Sequence, residues 1–377
     1  MKRKKKIAVS VMSDLVTDQR VLKTCHTLRA MGYEIEVFCI SGNSGISMEG
    51  IPFKLNTIHL SFNKGIWRFI QFNVRLYFRL RRSDADIFWA NDLDALLPNT
   101  LVSQTRKKEL IYDSHELYTE QPSLYNRRFK KKLWERVERF CMRRLNYMVT
   151  VNQSISSWYK EKYGIEPAVV RNVPLRSVTS AISPKNTVQD NQLNGNRILI
   201  LQGHGIHRNR GGLEIVEAMQ FLDSSFLLYI VGGGNAMPDI IKRIGELKLD
   251  DRVKIFPRMP YKDMMTLTAS ADLGLQMEKV ELGPGSLHTL PNKLFDYMHA
   301  GIPVLSSPVA EGSRIIRTYD FGLIIEKVDP KEIARGVIDA FSDISRFNRW
   351  KENAKSAALH FCWEKESEVI TDLMNRV

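Results

Sequence analysis

Short apolar runs alternate with longer segments of helical period along most of the chain. In the first half, Ile7–Met12 reads as a strand, Arg20–Met31 as a helix and Glu34–Ile40 as a strand. Helix Ile66–Arg82, strand Ile87–Ala90 and a short helix near Leu93–Thr105 follow. Strand Leu110–Tyr112 then precedes a long helix over about Leu124–Leu145. Met148–Val151, Ser154–Tyr163 and Ala168–Val170 complete this half as strand, helix and strand. From Arg176 to Asn196 the chain turns polar, with the composition of a linker. The alternation then restarts: strands at Arg197–Gln202, Phe226–Val231, Val253–Phe256, Leu273–Gln276 and Val304–Ser306 are separated by helical segments, and the end of the chain is mostly helical. The pattern predicts two doubly wound parallel α/β domains, binding a ligand in a cleft between the carboxyl ends of their strands. The expected boundaries are 1–175, a linker at 176–196, 197–345, and a helical tail at 346–377 that crosses back to the first domain.

Charge separates the two halves. Residues 1–175 hold 30 Lys and Arg against 17 Asp and Glu, so they carry the whole net charge of +13, and the rest of the chain is balanced at 25 of each. One lobe is thus suited to an anionic surface, either acidic lipid or nucleic acid. The basic start runs into an apolar stretch too short for a signal sequence, and no run approaches the roughly 18–20 residues of a membrane span. Cys25, Cys39, Cys141 and Cys362 form no metal-like spacing and read as reduced thiols of a cytosolic protein.

Candidate chemistry gathers at strand ends. In "ILILQGHGIHRNRGGLEIVEAM", Gly203 and Gly205 allow close backbone approach, and Arg208 and Arg210 precede a helix opening at Gly211-Gly212. Amides at a helix start with guanidiniums beside them suit a phosphate. A second junction, Gly232-Gly233-Gly234, offers close ligand approach but has no basic residue nearby in sequence, and tight-turn geometry explains it better. "IYDSHELYTEQP" crowds Asp113, Ser114, His115 and Glu116 onto a strand end, with Asn91 and Asp92 a weaker pair one strand earlier. In "SLHTLPNKLFDYMHAGIPV", Pro291 is placed to open a helix and Gly301 to stop it, leaving His288 and Lys293 at its mouth and Asp296 just inside.

Two basic helices carry the charge excess. Arg68, Gln71, Arg75, Arg79 and Arg82 share one stripe, and nine Lys and Arg lie between Arg127 and Arg144, interleaved with Phe129, Leu133, Trp134 and Phe140. Two readings stand: core helices with solvated basic edges, or contact with anionic headgroups through the basic stripe and its aromatics.

Taken in order, "LQGHGIHRNRGGLEIVEAM", "YIVGGG", "RVKIFPRMPYKDMMTLTASADLGL" and "LPNKLFDYMHAGIPVLSS" resemble the nucleotide-sugar domain of the GT-B glycosyltransferases of family four. "VTDQRVLKTCHTLRAMGYEIEVF", "NDLDALL", "YDSHELYTE" and "VVRNVP" resemble the acceptor domain of their bacterial members. The resemblance implies a retaining, metal-independent hexosyltransferase with no cofactor. Its donor would be a UDP-, GDP- or related sugar and its acceptor a glycan or lipid-linked glycan in cell-surface polysaccharide synthesis.

The resemblance also implies roles. The diphosphate lies on Gly203, His204 and Gly205, with Arg210 and Lys293 stabilising it and Arg208 standing in for a basic residue that His204 replaces. Gly233, Arg258 and Met259 pass the nucleotide. The turn Leu290-Pro291-Asn292 aims helix amides at the diphosphate, and Asp296 takes the ribose. Relatives carry an acid where this chain has His288, which leaves the donor sugar open. His115 is implied to touch the donor sugar or orient the acceptor. An inactive nucleotide-sugar-binding subunit is a second reading. A nucleic-acid-binding α/β protein is a third, which the apolar interleaving of the basic residues disfavours.

Overall fold

A computed structural model of the protein describes residues 3–40, 50–62, 64–125, 127–177, 195–203 and 205–377. Most of the expected linker, residues 178–194, and His204 lie outside these. The chain divides into two units: residues 1–172 together with 365–377, and residues 173–364.

The first unit is a seven-stranded parallel sheet in the order β3-β2-β1-β4-β5-β6-β7. Its strands are β1 (Lys6–Ser10), β2 (Glu34–Ile40), β3 (Lys54–Ile58), β4 (Ile87–Asn91), β5 (Glu109–Ser114), β6 (Tyr147–Thr150) and β7 (Ala168–Val169). Central β1 and β4 are buried at every position, which is why they read as unbroken apolar runs. Helices α1 (Gln19–Ala30), α2 (Ile66–Arg82), α3 (Asp92–Arg106), α4 (Arg128–Met142) and α5 (Gln153–Tyr163) connect them. The helix ends follow local chemistry. Asp18 and Asn152 accept the first free amides of α1 and α5, and Gly164 ends α5 in the left-handed conformation.

The second unit repeats the plan with six strands ordered β10-β9-β8-β11-β12-β13. They are β8 (Arg197–Gly203), β9 (Phe226–Gly232), β10 (Val253–Phe256), β11 (Leu273–Gln276), β12 (Val304–Ser306) and β13 (Gly322–Ile324). Its helices are α6 (Gly212–Ala218), α7 (Met237–Glu246), α8 (Tyr261–Ala269), α9 (Pro284–Leu287), α10 (Lys293–Ala300), α11 (Ala310–Tyr319), α12 (Pro330–Ser342) and α13 (Ile344–Ala358). Two apolar layers cover the faces of this sheet. One is built around Leu228, Ile240 and Val337, the other around Tyr229, Leu294 and Phe295. Both units are therefore doubly wound, and in both the strand order reverses beside the first strand of the unit.

Helix α13 packs within the second unit, where Lys355 covers Gly301. The last helix, α14 (Trp363–Met374), carries the chain into the first unit. There Arg171 pairs with Glu366 at 3.0 Å, and Tyr147 Oη donates to the Arg376 carbonyl at 2.7 Å.

Two short edge strands, β3 and β13, are absent from the sequence reading. β3 (KLNTI) is half polar and shows no apolar run. The long helix predicted from Leu124 starts only at Arg128, after two short 3₁₀ turns. Among the described residues, no helix is long and apolar enough to cross a membrane.

Candidate functional site

The carboxyl ends of β8 and β11 flank the point where the second sheet reverses, and here the two glycine junctions meet. A Cβ at Gly232 would lie 1.9 Å from the Gly203 carbonyl oxygen, and one at Gly234 would lie 2.2 Å from that of Ile206. The Ile206 amide donates to the Gly233 carbonyl at 2.7 Å, and the Ala236 amide to that of Ile206 at 3.1 Å. Gly232 and Gly234 also have φ of 126° and 155°. Close interlocking of two backbones, together with these dihedrals, requires glycine. Gly232→Ala is expected to lower stability by more than about 2 kcal/mol in a urea titration, because both the dihedral and the Gly203 carbonyl oppose a side chain.

Arg258 supplies the basic group that the local sequence of the triple glycine lacks. Its guanidinium lies against Gly233, where a Cβ would sit 3.2 Å from Nε. Met259 is half-buried against the apolar layer beneath α10. Arg208 turns away to an exposed ion pair with Asp239 at 2.8 Å. Gly205 lies against His207.

Arg210 and Lys293 instead converge on one buried carboxylate, Glu278, which the sequence reading passed over. Arg210 Nε and Lys293 Nζ each lie 3.7 Å from Glu278. Both separations exceed hydrogen-bond range, and among the described residues Arg210 Nε and Glu278 Oε1 have no hydrogen-bond partner. Lys293 and Glu278 are both buried. Burial pushes the Lys293 ammonium down to about 8; Glu278 resists this and Arg210 adds to it. Two cations thus flank one buried anion without hydrogen-bonding it, an arrangement that an incoming anion can complete. Loop-to-loop contact holds Glu278 there: the Lys279 amide donates to the Asn209 carbonyl at 3.0 Å.

Asp296 sits on the same helix as Lys293 and is also buried. Tyr261 Oη donates to its Oδ1 at 2.7 Å and Gln202 Nε2 to its Oδ2 at 3.0 Å, while Thr268 Oγ1 donates to Gln202 Oε1. Burial, and then the Asp296 carboxylate, push the Tyr261 phenol far up, so it stays a donor. The helix opens at Lys293 rather than Pro291. Asn292 is its N-cap without a side-chain hydrogen bond, so its first amides keep no side-chain cap. Leu290 and Pro291 are buried, and Asn292 is exposed. His288 is half-buried at the end of the short α9, its amide donating to the Pro284 carbonyl at 2.9 Å. It therefore caps the preceding helix, five residues before α10 opens.

His115 lies in the first unit, where β4 and β5 end. Asp92, read as a weak candidate, holds it: His115 Nδ1 is 3.1 Å from Asp92 Oδ2, and the His115 amide donates to Asp92 Oδ1 at 2.9 Å. His115 Nε2 is 3.7 Å from Asp113, and Arg20 clamps Asp113 through Nη2 at 2.6 Å. Burial opposes charge on His115, but the Asp92 and Asp113 carboxylates outweigh it and raise its pKa well above the ordinary value. Despite burial, Arg20 and His115 hold the Asp113 carboxyl below the usual carboxylate range. Burial and the neighbouring Asp92 push Asp94 well up. Asp92 itself has φ of 58°, a left-handed conformation that Asp tolerates better than most residues, and it aims the carboxylate back at His115. Among the described residues, no His, Cys, Asp and Glu group is arranged to hold a metal ion.

Comparison with known proteins follows the same two halves. Residues 185–357 match the family described as Glycosyl transferases group 1, and residues 18–175 that described as Glycosyltransferase Family 4. An uncharacterized glycosyltransferase of Methanocaldococcus jannaschii is 19% identical over 331 residues, covering 84% of this chain and 80% of that protein. The Anabaena protein HepE, solved in complex with UDP and glucose, shares the fold at a TM-score of 0.79 and 15% identity, with 99% and 100% of the two chains covered. WaaG, a glycosyltransferase involved in lipopolysaccharide biosynthesis, does so at 0.76 and 17% identity, with 97% and 99% covered.

Proposed function

From the premise that this chain belongs to the glycosyltransferases of the GT-B fold, with a family 4 first half and a group 1 second half, we propose that it is a retaining hexosyltransferase. It takes a hexose-type sugar from a UDP-, GDP- or related nucleoside-diphosphate donor to a glycan or lipid-linked acceptor in cell-surface polysaccharide synthesis, in the cytoplasm at the inner face of the membrane. The observation that carries this is the convergence of Arg210 and Lys293 on Glu278, beside two interlocked glycine loops. UDP in HepE supports the donor class, and the involvement of WaaG in lipopolysaccharide biosynthesis supports the acceptor class.

In this reading the donor diphosphate lies on the Gly203–Gly205 and Gly232–Gly234 loops before the amides of α10. Asp296 accepts the ribose hydroxyls, and Arg258 and Met259 flank the base. The bond from the anomeric carbon to the diphosphate oxygen breaks through an oxocarbenium-like state. Arg210, Lys293 and the helix amides stabilise the charge that grows on the leaving diphosphate, so no metal or other cofactor is needed. The acceptor hydroxyl attacks from the face the diphosphate leaves, and its proton passes to the departing phosphate oxygen. Glu278 keeps the two cations together before the donor arrives. His115, fixed by Asp92 and Asp113, acts as a donor to the sugar or the acceptor. His288, which the resemblance puts at the position of a donor-sugar acid, would distinguish the donor sugar; it also favours a second reading, a nucleotide-sugar-binding subunit without turnover.

Thermal denaturation with UDP and GDP separates these readings from all others. One nucleotide is expected to raise the melting temperature in step with its concentration, and Arg210→Ala to abolish the rise without changing the melting temperature of the free protein by more than a few degrees. No shift with any nucleoside diphosphate removes both sugar-nucleotide readings.

A further inference from the structure

Part of the arginine stripe of α2 reaches back to the protein. Arg79 donates to the Thr57 carbonyl at 2.8 Å, Arg75 to that of His59, and Gln71 Oε1 accepts the Ser61 amide at 2.8 Å. These side chains close the exposed edge of β3 and the segment after it, a common need of edge strands.

The side of α2 opposite its buried Phe72, Leu76 and Leu80 is apolar and exposed. Trp67, Ile70, Val74 and Phe78 fall within one narrow strip at about 100° per residue, with exposures of 61, 43, 50 and 54%. Neighbouring α4 repeats the feature. Phe129 is 94% exposed, and Leu133 and Phe140 share its strip. The two helices meet through Phe69 and Trp134, whose rings are 5.3 Å apart. Exposed Arg128, Lys130, Lys132 and Arg136 border the strip of α4. α4 carries basic residues and no acid in its first turn, against the preference of the helix dipole. A groove of about 500 Å³ at that end is lined by Tyr125, Arg127, Arg128, Phe129 and Lys130. Large apolar side chains rimmed by cations mark an interaction site rather than ordinary surface.

We infer that the exposed apolar strips of α2 and α4 seat the protein on an anionic bilayer, with Trp67, Ile70, Val74, Phe78 and Phe129 entering the interfacial layer and the cations of α4 meeting lipid phosphates. Charge complementarity selects this occupant: all of the net charge of +13 lies in residues 1–175, and the cations border apolar side chains as on membrane-surface helices. The inference rests on the proposed membrane location but not on the donor site.

Co-sedimentation of the full chain with phosphatidylglycerol-containing and pure phosphatidylcholine vesicles tests it. Binding is expected only to the anionic vesicles and is expected to fall with salt. Trp67→Glu with Phe129→Glu, and separately Lys130→Glu with Lys132→Glu, are each expected to weaken it about tenfold or more. Both variants are expected to keep the stabilisation by nucleotide, which keeps this test apart from that of the donor site. Absence of binding, equal binding by the variants, a dimer that the apolar variant dissolves, or tighter binding to nucleic acid than to vesicles would each overturn the inference.

Discussion

Replacing Lys293 with methionine is expected to slow turnover about 100- to 1,000-fold, the loss typical of removing one preorganised donor from a developing anion. The side chain is buried, so its charge cannot be replaced by water. Methionine keeps the aliphatic bulk and removes only the ammonium, which separates charge from packing. The substitution should also change the pH dependence. The folded-state pKa of Lys293 is about 8, against about 10.4 for a free lysine. Between these values the unfolded chain holds more protons than the folded one. The penalty for burying the charge is therefore complete below pH 8 and relieved as pH rises through that window. The wild type should gain stability relative to Lys293→Met over this range in paired denaturant titrations. Donor binding should run the other way: an anion favours the charged lysine, so KM for the donor should climb above about pH 8 in the wild type and stay flat in the variant.

The second large effect is expected at His115. His115→Asn and Asp92→Asn should each lower kcat about 100-fold, and the double variant should be little worse than either, because the two side chains act as one unit. Asp92 contacts both the ring and the amide of His115, so its loss frees the imidazole to rotate. Asp92→Asn should also bring the His115 pKa down, moving the alkaline limb of the kcat profile to lower pH. For stability the sign is opposite to that of Lys293. A histidine raised in the folded state contributes fully below its unfolded pKa of about 6.5, and the contribution is lost as pH rises through the folded value. Additive losses and an unmoved pH profile would mean that the two residues act separately.

What could be read from the chain follows from how local each signal is. Parallel strands buried on both faces produce unbroken apolar runs, so β1, β4, β8 and β9 were visible, and with them the doubly wound plan. The loop from Gly203 to Gly212 and the acid at Asp296 also carry local patterns. Edge strand β3 is too polar to show a run, and β13, three residues long, is too short. Glu278 lies just past β11 in a segment with no motif, and its importance comes from Arg210 and Lys293, which reach it from a loop and from the start of α10. Arg258 is brought to Gly233 by pairing of β9 with β10, a relation that spacing alone does not reveal. The arginine stripe of α2 was conspicuous, but its partners are backbone carbonyls of β3 and the segment after it, which had no signal of their own.

The central claim is that this charged, glycine-lined site activates a nucleotide sugar. It is tested most directly by measuring nucleoside diphosphate released from a panel of nucleotide sugars without acceptor, for the wild type and Lys293→Met. One pairing of base and sugar is expected to be hydrolysed slowly by the wild type and at least about 100 times more slowly by the variant. Release from no member of the panel, or equal release by the two proteins, would contradict it.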